Sequence, residues 1–236
     1  SAANIGIDAA LEQGADFTWL VNNDALALPG LLGMLLDATA VEAIGMATPT
    51  VCTMDEPDVV WPSAGWRRSL TLAAFDTTAR PPSDEPYDVE WATGCCLLVR
   101  ANVWRRIGLF DPAYVFYYED HDLCLRARAA GWRIVHVPRA RVLDRVAGST
   151  GQGSALQMYL LARASVPFYW RHSRGLRRGF IVAYRLASLA RTLSECALDR
   201  RWGAAAAYVR GLHDGAAELR TFRRNGLAGP SGPCKV

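Results

Sequence analysis

The sequence predicts an α/β fold followed by a helical tail, and three observations carry that prediction. The apolar run Phe17 to Val21 is continuous rather than alternating, as in a buried parallel strand, and Ile44 to Val51 reads as another buried strand. A helix-length segment, Leu31 to Ala40, lies between them, giving strand–helix–strand order. Beyond Gly148-Ser149-Thr150-Gly151 the pattern changes to three helical stretches, at 155–172, 176–198 and 203–222. The 236 residues are 51% hydrophobic and 21% charged, which supplies a sizeable core and rules out a disordered or fibrous chain. No apolar run approaches the ~18 uncharged residues of a spanning helix.

The elements follow in order. Asn4 to Ala15 reads as a short helix with Ile7, Ala10 and Leu11 on one face, ended by Gly14. The strand from Phe17 stops at Asn22-Asn23-Asp24, and Pro29 sits where the next helix starts. Residues 52–90 hold Pro57, Pro62, Pro81, Pro82 and Pro86, and read as an excursion with a hairpin around Trp61 and Ser69–Phe75. Trp91 to Val99 is strand-like, Asn102 to Ile107 is a short helix ending at Gly108, and Asp122 to Ala130 is a helix stopped by Gly131. Trp132 to Val137 is a strand ended by Pro138, with a further short strand at Ala140 to Leu143. Small residues dominate a frayed end at 226–233.

Charge divides the chain into two parts. Residues 155–236 carry 14 Lys and Arg against 4 Asp and Glu, and residues 1–154 carry 12 against 19. The expected organisation is therefore an acidic body over 1–154 and a basic helical appendage over 155–236. The appendage either meets an anionic surface such as a membrane leaflet or presents a solvated face. Arg171, Arg174, Arg177, Arg178 and Arg185, interleaved with Phe168, Tyr169, Trp170, Phe180 and Tyr184, are the candidate membrane contacts; the alternative is that these aromatics pack the tail onto the sheet. The six cysteines form no CxxC pair and have no His at zinc-finger spacing, so they read as buried reduced thiols.

Two constellations carry chemistry. Asn22-Asn23-Asp24 closes a buried strand, and ligands bind off the carboxyl ends of strands in open α/β sheets. A carboxylate there holds a divalent cation, or else the three residues are a turn with Asn/Asp side-chain caps. Glu119-Asp120-His121-Asp122 packs three acids into four residues behind Phe116, Tyr117 and Tyr118. A helix cap explains one acid, but aromatic neighbours that exclude water raise a carboxylate toward the range of a general base. Arg126, four residues beyond Asp122, has ion-pair spacing and reads as structural. The four histidines share no ligand spacing, and His136 reads as a core or surface residue of its strand.

Taken together, AANIGIDAALEQGADFTWLVNNDA (2–25) and TGCCLLVRANVWRRIGLFDPAYVFYYEDHDLCLRARAAGWRIVHVPRARV (93–142) resemble the family 2 inverting glycosyltransferases, especially their bacterial rhamnosyltransferase-like branch. FDPAYVFYYEDHDLCLRARAAG is the specific part. The resemblance implies a GT-A (nucleotide-diphospho-sugar transferase, Rossmann-like) mixed sheet and transfer of a sugar, tilted toward rhamnose, from a nucleotide sugar to a glycan or lipid-linked acceptor. It implies Asp120 as general base with Glu119 beside it, and Asp24 as metal ligand for Mg²⁺ or Mn²⁺. It also implies Asn4, Asn23, Trp91, Gly94, Cys95 and Asp122 on the substrate side. In VPRARVLDRVAGST (137–150), Asp144 and Arg145 stand where relatives carry two histidines, so Asp144 is the candidate second metal ligand. Relatives also have roughly a third of the catalytic domain before the Asn4 helix, so the expectation is a piece lacking the first strands and inactive alone. The implied location is cytoplasmic, peripheral to the inner face of the plasma membrane. Two readings compete with the transferase: a non-catalytic carbohydrate-binding or scaffold remnant, and a GT-A-like nucleotidyltransferase with a Gly-rich phosphate loop.

Overall fold

The computed structural model describes residues 2–145, 151 and 153–224, with side chains as far as residue 220. The Gly148-Ser149-Thr150 segment and the small-residue end at 226–233 lie outside the described residues. The elements are α1 (Ala2–Glu12), β1 (Phe17–Val21), β2 (Ala25–Ala27), α2 (Leu31–Ala38), β3 (Ile44–Thr53), β4 (Val60–Trp61), β5 (Ala64–Arg67), β6 (Ala74–Asp76), β7 (Tyr87–Val89), β8 (Trp91–Ala92), β9 (Cys96–Arg100), α3 (Ala101–Ile107), α4 (Glu119–Ala129), β10 (Arg133–Asp144), α5 (Ala155–Arg171), α6 (Gly175–Leu198) and α7 (Trp202–Arg224).

The main sheet runs β1-β9-β3-β10-β2, with β4 added to β3 and β7 to β10. Its centre is the parallel β3–β10 pair, and β3 is buried along nearly its whole length, its Thr48 and Thr50 hydroxyls donating to the carbonyls of Cys96 and Pro138. Alternate residues face opposite layers. Met46, Leu97, Val99 and Ile134 pack under α1, α3 and α4 with Ile7, Trp104 and Leu123. Ala47, Leu98, Val135 and Val142 pack on α2 through Leu31 and Leu35. A small sheet, β6-β5-β8, is the hairpin excursion.

Several expectations need correction. β1 is not a parallel strand: it pairs antiparallel with β9, from Phe17 opposite Arg100 to Val21 opposite Cys96. β2 has no counterpart in the sequence reading, because its three residues carry no strand pattern and are ordered by backbone pairing with β10. Trp91 to Val99 is two strands in two sheets, divided at Thr93-Gly94-Cys95. Pro138 does not end a strand: it sits in an irregularity of β10 between Val137 and Arg141, the one place a central strand tolerates a missing N–H. His136 is fully buried, and Thr50 Oγ1 lies 3.1 Å from its Nε2. Cys52, Cys96, Cys124 and Cys196 are buried free thiols, and Cys95 is half-buried.

The basic segment is built into the fold at its first helix. Phe168 is completely buried, and a third core joins Tyr114, Phe168, Tyr169 and Ile181. Arg171 pairs with Asp111 and Asp122, and Arg185 lies 4.9 Å over the Tyr169 ring while donating to Ser165 Oγ and the Tyr208 hydroxyl. These two arginines and the Phe168–Tyr169 pair therefore face inward, not toward a membrane. α5 and α7 pack closely because Gly211 and Gly215 lie one turn apart, against the carbonyls of Tyr159 and Arg163. A Cβ at Gly211 would stand well inside contact distance of the Tyr159 carbonyl. Helix propensity alone would make Gly211→Ala stabilising. Here the clash decides the sign, and the substitution is expected to lower stability by about 1–3 kcal/mol. A rise in the urea midpoint would contradict this packing.

Candidate active site

Three strand ends and one helix start converge. The Asn23-Asp24 turn joins β1 to β2, and Ala25 lies opposite Asp144 in the β2–β10 ladder, so Asp24 and Asp144 come to the same end of the sheet. Between them sits the β8–β9 turn. Asn22 donates its backbone N–H to the Cys95 carbonyl at 2.8 Å, and the Cys95 thiol donates to Asp144 Oδ2 at 3.0 Å. Asn22 Nδ2 reaches the same Asp144 oxygen at 3.3 Å. Burial, the hydrogen bond to Asp144, and the charges of Asp144 and Asp24 together push the Cys95 thiol far above its ordinary range, so it stays a donor.

The other side of that turn meets α4. Asp120 Oδ2 accepts from Gly94 N–H at 3.3 Å, and Oδ1 accepts from His121 N–H at 2.6 Å. Thus Asp120, Gly94, Cys95, Asp144 and Asp24 form one continuous set of neighbours. α4 starts at Glu119, three residues before the position the sequence indicated, so its first turn holds Glu119, Asp120 and Asp122 at the positive end of the helix. No side chain caps it. Tyr117 and Tyr118 both hold positive φ, at 66° and 68°, a conformation that costs aromatic residues on the order of 1 kcal/mol or more. Packing enforces it: the Tyr118 ring lies 4.8 Å from Phe168 and 5.6 Å from His121.

Glu119 Oε2 is buried without a hydrogen-bond partner among the described residues. Burial, and then the neighbouring Asp120 charge, push its carboxyl up to about 7. His121 is held below its ordinary value, at about 4, by burial, with Arg67 adding to the effect against Asp120. Neutral His121 accepts a hydrogen bond at Nδ1 from Arg67 and stacks 5.1 Å from Trp91. Arg67 and Asn22 were missed by sequence reasoning. Asn22 belonged to a motif read for Asn23 and Asp24, and Arg67 reaches the site from a hairpin 54 residues upstream of His121.

The remaining sequence candidates separate. Trp91 is buried beside the site, its indole N–H donating to the Phe75 carbonyl. Asn23 is exposed on the turn. Asn4 lies apart from the set, bonded in both directions to the backbone of Phe110. Asp122 is fully buried, with Arg126 at 2.7 Å, His172 at 2.8 Å and Arg171 at 3.3 Å. At these two positions the side chains serve the fold rather than a surface open to substrate. Asp24 and Asp144 are hard oxygen donors suited to Mg²⁺ or Mn²⁺. Among the described residues no three His, Cys, Asp or Glu side chains converge at ligand distance.

Residues 2–161 match the family described as glycosyltransferase like family 2, and the chain belongs to that family. Over 158 residues it is 34% identical to the N-acetylglucosaminyl-diphospho-decaprenol L-rhamnosyltransferase of Mycobacterium tuberculosis, covering 59% of this chain and 50% of that one. A shorter match, 46% identical over 50 residues, is to the rhamnosyltransferase WbbL of Escherichia coli, covering 21% of this chain and 19% of the relative. The chain spans about half the length of the mycobacterial relative. Among solved structures it resembles GalNAc-T7, crystallised with UDP, GalNAc and Mn²⁺, with a TM-score of 0.51 at 14% identity over 91% of this chain and 44% of that one. The mixed sheet with its flanking helices is thus the GT-A-type fold that the motifs implied.

Glu119 supplies a test of the site's electrostatics. Its folded-state value near 7 lies above the usual carboxyl value of 4.5, so the folded state holds the extra proton between those two. Its contribution to stability therefore falls as pH rises from 4.5 through 7. Glu119→Gln is expected to stabilise the chain at about pH 8 by on the order of 2 kcal/mol, and by little at about pH 5. Thermal denaturation across that range reads the difference, and a pH-independent effect would refute the assignment.

Proposed function

We propose that the chain is the catalytic part of an inverting glycosyltransferase. It transfers a sugar, L-rhamnose on the pattern of its relatives, from a nucleoside-diphosphate donor to a glycan or lipid-linked acceptor in cell-envelope polysaccharide synthesis. One observation supports this reading above the others: a single turn, Gly94-Cys95, touches Asp120 through its amide and Asp144 through its thiol. In this reading Asp120 is the proton acceptor on one side of that turn and Asp24 with Asp144 the anionic pair on the other, an arrangement that suits displacement at an anomeric carbon.

In this reading Asp120 takes the proton from the acceptor hydroxyl as that oxygen bonds to the anomeric carbon. The bond from that carbon to the diphosphate breaks on the opposite face, and the configuration inverts. Glu119 holds its proton up to near-neutral pH and adds no second negative charge beside Asp120. Asp24 and Asp144 would hold Mg²⁺ or Mn²⁺, which when bound offsets the charge developing on the leaving diphosphate. Asn23, Trp91, Gly94 and Cys95 border the substrate. The intact carboxylate set favours this reading over a scaffold remnant. The reaction is assigned to the cytoplasmic face of the membrane, and no described helix is long and apolar enough to cross one.

The test uses the longest reading frame that contains the chain, with dTDP-L-rhamnose as donor and an N-acetylglucosaminyl prenyl diphosphate as acceptor. Asp120→Asn is expected to lower turnover roughly 10²–10⁴-fold with donor binding retained. Asp24→Ala and Asp144→Ala are expected to raise the Mn²⁺ concentration needed for half-maximal rate. Full activity in Asp120→Asn would remove the base assignment, and an unchanged Mn²⁺ response in Asp144→Ala would remove that ligand.

A further inference from the structure

The helices α6 and α7 leave an apolar surface that no described residue covers. On α6, Leu176, Phe180, Leu186 and Leu198 are 90%, 57%, 61% and 83% exposed. With Ala183, Ala187, Ala190 and Ser194 between them, they follow helical spacing along one stripe that contains no charged residue for the length of the helix. The residues turned inward are different in kind: Ile181 and Cys196 are buried, and Arg185 is tied to Ser165 and Tyr208. The stripe continues past Leu193 into an open groove of about 650 Å³ between α6 and α7, walled by Trp202, Ala206 and Val209 with Arg210 and His213 at its edge. Trp202 is itself 65% exposed.

Cations frame this surface. Arg174 precedes α6, Arg200 and Arg201 lie in the connection to α7, and Arg210 borders the groove, all of them exposed. Arg191 and Glu195 neutralise one another on the edge of α6 at 2.7 Å. An apolar stripe between basic ends, on a helix too charged to cross a bilayer, is the arrangement of a helix lying in the plane of a membrane surface. The charge also selects the occupant. Pairing this face with a second copy would bring Arg174, Arg200, Arg201 and Arg210 against their own counterparts, whereas an anionic leaflet complements them.

We propose that the outer face of α6, continued by the α6–α7 groove, docks the protein in-plane on an anionic phospholipid bilayer. The proposal extends the transferase reading, since a prenyl-linked acceptor resides in a bilayer, but its test needs no substrate and is decided separately.

The full chain is sedimented with phosphatidylcholine vesicles and with vesicles containing phosphatidylglycerol, at low and high salt. Binding is expected to the anionic vesicles, weakened by salt. Phe180→Asp combined with Leu186→Asp is expected to lower the partition constant by about tenfold or more. These side chains are exposed, so circular dichroism and the thermal midpoint should be unchanged. Arg174→Glu with Arg200→Glu should remove the preference for phosphatidylglycerol while also leaving the fold intact. No binding to anionic vesicles, or equal binding by wild type and both variants, would overturn the proposal. So would sedimentation equilibrium showing a dimer that the Phe180/Leu186 variant dissociates, because the face would then be a self-interface. Failure of transfer activity with vesicle binding preserved would bear on the transferase reading alone.

Discussion

The site depends on one buried carboxylate, and it is not a catalytic one. Asp122 lies one turn into α4 with no exposed surface. Burial alone would raise its pKa. The hydrogen bond from His172 and the charges of Arg126 and Arg171 outweigh that effect and hold it below the ordinary carboxylate range. Arg126 in turn donates to the carbonyls of Ile107, Gly108 and Leu109, and Arg171 also grips Asp111. One side chain thus ties α4, the end of α3, the loop at 107–111 and the end of α5 together. Removing one partner of such a buried set leaves an uncompensated charge, which costs about 3–5 kcal/mol. Glu119 and Asp120 lie three and two residues before this clamp, so their backbone is fixed by a network outside the Asp120–Gly94–Cys95–Asp144 chain.

That arrangement explains which parts of the molecule were legible. The central strands were readable because burial on both faces leaves an apolar run in β9 and a stretch without a charged residue in β3. The three C-terminal helices were readable because their periodicity is long. Arg126 was readable because its partner is four residues away. β2 was not, since backbone pairing with β10 orders it rather than side-chain pattern. The start of α4 was misplaced by three residues because Tyr118, an aromatic residue with positive φ and no capping oxygen, gives no sequence signal of a helix start. The carboxylates Asp24, Asp120 and Asp144 were legible as residues, from strand end, acid cluster and motif, but their connection was not. It runs through Gly94 and Cys95, whose sequence looks like the interior of a single strand. The partners of Asn4 and Asp122 were hidden for the same reason: a motif position names a residue, while the fold alone brings Phe110, His172 and Arg171 to it.

Local cost concentrates around Asp120. Two consecutive tyrosines hold left-handed backbone, Glu119 has a buried oxygen with no donor among the described residues, and His121 is kept neutral against the acid beside it. Each feature is unfavourable alone, and each is imposed by packing from elsewhere: Phe168 and Tyr169 against Tyr118, Trp91 and Arg67 against His121. Strain of this kind persists only where surrounding structure over-determines it, and it gathers where a site needs groups in states that water would not allow.

The division of charge along the chain takes on a different meaning in three dimensions. The acidic part is not uniformly acidic at its surface, because Asp111 and Asp122 are consumed by cations from the basic part. The basic part is not a uniform cationic surface either, since Arg163, Arg171 and Arg185 are engaged by Glu218, two buried aspartates and a tyrosine–serine pair. α5 is therefore the element that crosses the division. Its last turn, with Arg171 and the following His172, completes the clamp under α4, and its opposite flank packs on α7 through Gly211 and Gly215. Whatever surface α6 and α7 present is thereby connected, through one rigid helix and one ion-pair cluster, to the backbone that carries Asp120.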